Sequence, residues 1–434
     1  MTRNRLESSR NITQTVDWHI IICYLSLVVI GLISIYAAGH SIEGDLPIYD
    51  LHSRSGKQLL WIGISLIVGA VILFAVNPHL WEVISTPAYI LVLLMLAATI
   101  VLGKEINGSK SWFSLGAFSF QPCEISKITT SLLLAHCLRQ QSFKSPRLST
   151  IATVLIVLGL PSLLILAEKE TGTVLVYLAY VFVLYREGLS GEWLALGALV
   201  IVLFITSIRF PIWVSFIILG AVVLGYYSFI RLQGGKRFRA KRKLGWLCAL
   251  TALFGSACIL LTDFVFNNVL QPHQRLRIEV LLGIKEDLMG AGYNVNQSLI
   301  AIGSGGAFGK GFLQGTQTTY GFVPEQSTDF IFCTIGEEFG FVGCALLIAL
   351  FVYLIYRIVK TSEECRDPFN RIYGYCVACI LFMHMIINIG MTIKLMPVIG
   401  IPLPFISYGG SSMLSFTTML FIFLALVKQE KKYF

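Results

Sequence analysis

Long apolar runs separated by short polar connectors dominate the chain, and most are free of Asp, Glu, Lys and Arg over the length needed to cross a bilayer. At about 20 apolar residues per crossing, the pattern predicts about twelve helical spans. Their cores fall at 17–39, 58–77, 83–103, 122–139, 149–167, 171–186, 192–208, 211–230, 245–263, 329–357, 371–394 and 405–427. The segments 171–186 and 192–208 are short, which leaves the count open by two. The expected fold class is all-α, a polytopic helical bundle in one membrane domain over 1–434.

One stretch breaks the pattern. Residues 293–332 are too polar and glycine-rich to cross a bilayer, yet too apolar for a loose linker. They predict a folded extramembrane platform, placed at 264–328. Within it, 274–289 alternates charged and apolar residues at helical spacing. That spacing predicts an amphipathic helix, lying on the membrane surface or on the protein's own rim.

Composition agrees with a membrane protein: 56% of residues are hydrophobic and 13% charged. The net charge of +9 does not point to nucleic acid, because no binding-fold signature accompanies it. Seven basic residues and no acid crowd 231–243, between two spans. Such a loop marks the cytoplasmic side. With the N-terminus inside, the basic loops 139–147, 231–243 and 357–371 all fall inside and 263–328 falls outside. The first span is long and lacks a small-residue cleavage site, so it is not expected to be a cleaved signal. The ten cysteines lie mostly in apolar runs, where they act as small hydrophobes instead of a disulfide framework. Cys376 and Cys379 form a CxxC, but inside a span and with no second ligand pair.

Intramembrane charges cost about 2.5 to 3.5 kcal/mol each on insertion scales, so each needs a reason. Glu124 and Lys127 are three apart on one helix face and neutralise one another, as a structural pair or one that also touches a polar ligand. Of Glu337 and Glu338, one faces the interior and requires a donor; His384 is expected to be a satisfied structural histidine. The glycine run at 303–311 fails the phosphate-loop pattern, since Lys310 is followed by Gly311. Its glycines let amides approach an anion or simply allow tight turns. The residues alone leave Asp329 as a helix N-cap or a reactive acid.

Four motifs in this order, NGSKSWFSLGAFSFQPCEISK at 107–127, GYNVNQSLIAIGSGGAFGKGFLQGTQ at 292–317, FVPEQSTDFIF at 322–332 and NIGMTIKLMPVIGIPLPFISYGGSS at 388–412, resemble the SEDS family of RodA, FtsW and SpoVE. The resemblance covers nearly the whole chain and is strongest to the elongation branch. It implies a peptidoglycan glycosyltransferase in the bacterial plasma membrane, polymerising lipid II on its outer face. The implied partners are an undecaprenyl diphosphate-linked glycan, a class B penicillin-binding protein and the elongation machinery. It places the family's essential aspartate on Asp329 and its fourth-helix Glu and Lys on Glu124 and Lys127.

Two motif positions depart from the family: Ser111 stands where Arg is usual before the Trp, and Glu170 stands where QPDLGT has Asp. Lys110, one place before Ser111, is then expected to meet phosphate in place of the Arg. The family has about ten spans, so 192–263 reads as an extra pair with the basic loop 231–243. The implied reaction inverts the donor sugar and needs one carboxylate as base, which points to Asp329. Lys310, Arg275, Arg277 and Lys110 are candidate counter-charges for the diphosphate, with Mg or Mn left open as a cofactor. Glu325 is placed to orient sugar hydroxyls or support a cation. A lipid II flippase and a scaffold for the penicillin-binding protein are the rival readings.

Overall fold

The structure is a computed structural model and describes residues 16–44, 46–106, 109–115, 118–140, 148–233, 238–268, 270, 272–285 and 292–433. The chain forms two compact units, residues 1–189 with 294–434, and residues 190–293. The smaller unit takes in both the predicted extra pair and the first part of the predicted platform.

In the larger unit, helices α1 (Trp18–Glu43), α2 (Arg54–Phe74) and α3 (His79–Leu102) lead into a small antiparallel sheet. Its strands are β1 (Lys104–Ile106), β2 (Ser109–Leu115) and β3 (Phe118–Phe120), in the order β1-β2-β3. They pair Lys104 with Trp112 and Phe113 with Phe120. These short strands had no apolar-run signal, and the chain is otherwise helical as expected. Next come α4 (Pro122–Gln140), α5 (Leu148–Ala167), and the short α6 (Thr171–Tyr177) and α7 (Tyr180–Arg186), which share the predicted span 171–186.

In the smaller unit α8 (Gly191–Arg209), α9 (Ile212–Gln233) and α10 (Phe238–Asn268) pack around Leu199, Leu203, Leu219 and Ile259. Helix α11 (Pro272–Leu281) follows and is shorter than the amphipathic helix predicted at 274–289. Residues 286–289 of that prediction lie outside the described residues.

The chain then returns to the larger unit through α12 (Tyr293–Ser304) and the single turn α13 (Thr316–Thr319). Three long helices complete it: α14 (Ile331–Glu364), α15 (Pro368–Thr392) and α16 (Gly410–Tyr433). Among the described residues, nine helices are long and apolar enough to cross a membrane. The segments 171–186 and 212–228 are shorter apolar helices, and α4 falls outside this set because it carries buried polar groups. The chain is a multi-pass membrane protein. Helices α15 and α16 are largely buried within the protein, whereas α3 and α5 turn most of their surface outward, toward lipid.

The glycine run is explained by a break in α14. Gly340 has φ 65° and ψ −161°, so the amides of Phe341 and Val342 leave the helix ladder. They donate instead to Gly306 O (2.9 Å) and Ala307 O (3.1 Å). The carbonyls they abandon, on Glu337 and Glu338, accept from the amides of Lys310 and Gly311 at 3.0 Å each. Every backbone group lost at the kink is thereby re-paired, which a buried break demands. The exchange requires backbone on backbone: a Cβ at Gly305 would lie 2.0 Å from Gly336 O, and one at Gly309 would lie 2.0 Å from Glu338 O. The glycines are there for close approach to α14, and the Lys310 and Gly311 amides are already spent on it.

Candidate active site

Asp329 lies in the turn before α14, and its side chain is half-buried. The N-cap position belongs to Phe330, and no side chain caps the helix. The capping role that sequence left open is therefore not the one Asp329 plays. No hydrogen bond or ion pair reaches its carboxylate among the described residues. Burial first, then the charges of Glu325 and Glu170, push its pKa up to about 7.

The backbone around this acid is fixed from four directions. Asn388 Nδ2 on α15 donates to Asp329 O at 2.9 Å and to Ile401 O at 2.7 Å. Ser407 Oγ donates to Thr328 O at 2.6 Å, and the Tyr408 amide to Ser327 O at 2.9 Å. Arg54 at the start of α2 donates to Ser327 Oγ at 2.6 Å. Gln326 Nε2 donates to Ala38 O at 2.6 Å and Thr318 O at 2.7 Å. Gly400, at φ 72°, lies against the carboxylate, where a Cβ would stand 3.1 Å from Asp329 Oδ2. The PVIGIPLPFISYGG loop thus forms one wall of the site.

The predicted pair on α4 forms as the spacing required. Lys127 Nζ reaches both Glu124 carboxylate oxygens at 3.0 Å, and Lys127 is only 1% exposed. The ammonium also lies 3.0 Å from His384 Nε2 and 4.6 Å from the Phe416 ring centre. An ammonium only donates, so Nε2 accepts and His384 carries its proton on Nδ1, which donates to Pro402 O at 3.1 Å. His384 is satisfied on both sides. Pro402 adjoins Ile401, so His384, which contacts the buried pair, and Asn388, which also bonds Asp329 O, hold the same loop at neighbouring residues.

Where one interior acid was expected, both Glu337 and Glu338 are buried; Glu338 Oε1 accepts from the Leu313 amide at 3.2 Å, and Glu337 is the one that meets a cation. Its carboxylate is fully buried and accepts from Lys310 Nζ (2.7 Å), Gln317 N (2.9 Å), Thr318 N (2.9 Å) and Thr318 Oγ1 (2.9 Å). Lys310 is thus partnered within the protein and also donates to Thr316 Oγ1 at 2.7 Å. In the smaller unit Arg275 pairs with Glu279 at 3.0 Å, and Lys285 joins it at 2.7 Å. The side chain of Arg277 lies outside the described residues. Glu325 is exposed at φ 53° and accepts from Thr328 Oγ1 at 2.9 Å.

Strand alternation decides where Lys110 points. Ser109 and Ser111 share one face of β2 and both donate to Glu170 Oε1, at 2.8 and 2.6 Å. Lys110 between them is exposed on the other face, so it does not reach into the place left by the missing Arg. Glu170, noted in the sequence only as a departure from the motif, is a site residue by position. Arg54 was not singled out at all; a cation opening a span gave no sign that the chain would fold it onto Ser327. Among the described residues, no group of three or more His, Cys, Asp or Glu is arranged to hold a metal ion.

The profile of the cell cycle protein family of FtsW, RodA and SpoVE matches residues 17–240 and 238–433. The chain belongs to that family. The two matched ranges run through 192–263 and meet inside the basic loop. Curated relatives include the peptidoglycan glycosyltransferase RodA of Treponema pallidum, 31% identical over 92% of this chain and 94% of that protein. They also include MrdB of Escherichia coli K12, 31% identical over 79% of this chain and 78% of the relative. Stage V sporulation protein E of Bacillus subtilis is 29% identical over 92% and 93%. A chain from a peptidoglycan synthase complex that coordinates polymerization and crosslinking matches this fold with a TM-score of 0.68, at 24% identity over 96% of this chain and 98% of that one. The rod shape determining protein RodA of Thermus thermophilus matches with a TM-score of 0.59 at 23% identity, over 96% and 97%.

Proposed function

We propose that this chain is a peptidoglycan glycosyltransferase that polymerises lipid II during cell elongation, with Asp329 as the base. The observation that carries the reading is Asp329 itself: a half-buried carboxylate with no described hydrogen-bond donor, its pKa raised to about 7. A base acts best with a pKa near the working pH, and such help is worth about 10² to 10⁴ in rate.

In the proposed reaction the 4-hydroxyl of the acceptor GlcNAc attacks the anomeric carbon of the growing glycan. The new C–O bond forms as the bond to undecaprenyl diphosphate breaks, and the hydroxyl proton passes to Asp329. The diphosphate leaves without a proton if its charge is balanced, so no acid is needed. Lys110, exposed on β2, is proposed to supply that balance. Lys310 already holds Glu337, so it would contribute only by exchanging partners. Glu325 is proposed to orient sugar hydroxyls beside Asp329. The buried Glu124–Lys127 pair, through His384 and Pro402, is proposed to set the loop wall against which substrate lies.

The reading places the site at the outer face of the bacterial plasma membrane, with a class B penicillin-binding protein as partner; 1–434 acts as one membrane domain carrying the platform at 264–328. Its test supplies the purified protein and that partner with lipid II in detergent, where sidedness is irrelevant. Polymer from the wild type and none from Asp329→Asn supports the enzyme. Lipid II transport in vesicles without polymer from either would favour a flippase and sink the proposal.

A further inference from the structure

One amide side chain touches the proposed base and leaves half of itself unused. Asn388 on α15 is fully buried, and its Nδ2 places both hydrogens on main-chain oxygens, Asp329 O at 2.9 Å and Ile401 O at 2.7 Å. Both partners are carbonyls, which only accept, so the network fixes the amide in a single orientation, with Nδ2 toward them. Its Oδ1 is buried and receives no hydrogen bond among the described residues. Folded proteins seldom leave a buried acceptor unmet, because the lost contact with water is not repaid.

The donors on and beside this face of α15 are already committed. One turn earlier, His384 is held between Lys127 and Pro402 O; one turn later, Thr392 Oγ1 donates to Ile389 O at 2.7 Å. Ser298 Oγ donates to Thr392 O at 3.0 Å, and Ser407 Oγ to Thr328 O at 2.6 Å. The titratable groups about Asp329 are Glu325 in its own turn and Glu170 from the α5–α6 joint, with Arg54 of α2 on Ser327. None of these donates to Asn388 Oδ1.

Asp329 is the neighbour that can acquire a hydrogen. Two amide bonds separate Oδ1 from Nδ2, so Oδ1 lies within about 5.5 Å of Asp329 O. The Asp329 carboxylate likewise has no donor among the described residues. One proton placed on it satisfies both acceptors at once, and the proposed reaction delivers that proton.

We propose that Asn388 is a positioning residue for the base: its Nδ2 fixes the Asp329 turn to the loop wall, and its Oδ1 accepts the O–H that Asp329 gains from the acceptor alcohol. The proton then passes to solvent as Asp329 ionises again, and no bond within Asn388 changes. The role in turnover rests on Asp329 being the base; the hydrogen bond itself does not.

Two readouts on the purified protein in detergent test it. In infrared difference spectra between acid and neutral pH, the C=O band of the protonated Asp329 carboxyl is identified by its loss in Asp329→Asn. It should lie at lower wavenumber in wild type than in Asn388→Leu or Asn388→Ala, which lack the acceptor. With the penicillin-binding partner and lipid II, the acid limb of the pH–rate profile should move down by about half to one pH unit in the same variants, because the protonated form loses a hydrogen bond. Gln326→Leu is the control. Gln326 also grips two carbonyls, Ala38 O and Thr318 O, and leaves a buried Oε1 unmet, but neither partner belongs to the Asp329 turn or the loop wall. That variant should melt lower and move neither readout. If Asp329→Asn still polymerises, the base assignment fails while the infrared result stands by itself. A wild-type band at the wavenumber of a free carboxyl overturns the proposal without any change at Asn388. So does a band that both Asn388 variants leave in place, or that Gln326→Leu moves equally.

Discussion

At the scale of single residues, the proposed base Asp329 ties protonation to stability as well as to the proposed activity. Its unfolded-state pKa is near the ordinary 3.8 and its folded value about 7. Below pH 4 both states hold the proton and nothing is lost. Between pH 4 and 7 the unfolded chain releases a proton the fold retains, so stability falls as pH rises and the full cost is present above 7. Asp329→Asn removes that cost, which is at most about 4 kcal/mol. Melts in detergent should show the variant more stable than wild type at pH 8 and nearly equal at pH 4. In activity, the wild-type rate should drop on the acid side of about pH 7, where the base is protonated. Gly400 offers an independent handle. Gly400→Ala sets a side chain at φ 72° against Asp329 Oδ2, and backbone strain of about 1 to 2 kcal/mol should accompany a loss of polymerisation of at least tenfold. Unchanged activity in a folded Gly400→Ala protein would count against the loop as a wall of the site.

Elements are held by buried acids that pair with cations across or within helices. Glu337 gathers Lys310 and the 316–318 turn onto the kinked start of α14. Glu337→Gln leaves Lys310 without its carboxylate partner, and should lower stability by roughly 3 kcal/mol and open the chain to protease between Lys310 and Tyr320. On α4, Lys127→Met strands Glu124 in a buried site at a cost of about 3 to 5 kcal/mol, whereas the double change Glu124→Gln with Lys127→Met should cost less than the single one. A thermal-melt series with all three proteins reads the difference. If the double variant is the least stable, the pair is held by more than its own charge complement.

For the molecule as a whole, the consequential quantity is which side of the membrane Asp329 faces. Tyr320, 73% exposed near the site, and Glu363, at the far end of α14, mark opposite ends of the bundle. A cysteine at Tyr320 should react with a membrane-impermeant maleimide in spheroplasts, and one at Glu363 only after lysis, each read against the wild-type background of ten free cysteines. The reverse pattern would place Asp329 on the cytosolic side, where a lipid-linked sugar acceptor on the outer leaflet is out of reach.

The pattern of apolar runs determined the helical bundle nearly element by element, because a bilayer leaves long apolar segments no other way to satisfy their backbone. Local spacing also determined the Glu124–Lys127 contact, since residues three apart on a helix are neighbours whatever surrounds them. Motif order marked Asp329, but its burial, which raises its pKa, and the approach of Gly400 to its carboxylate came only with folding. The glycine run had two readings until the break at Gly340 showed which amides it answers. Ser111 and Glu170 looked like two unrelated departures. Only folding made them partners, because hydrogen bonding depends on separation in space, and 59 positions of intervening chain carry no local trace of it.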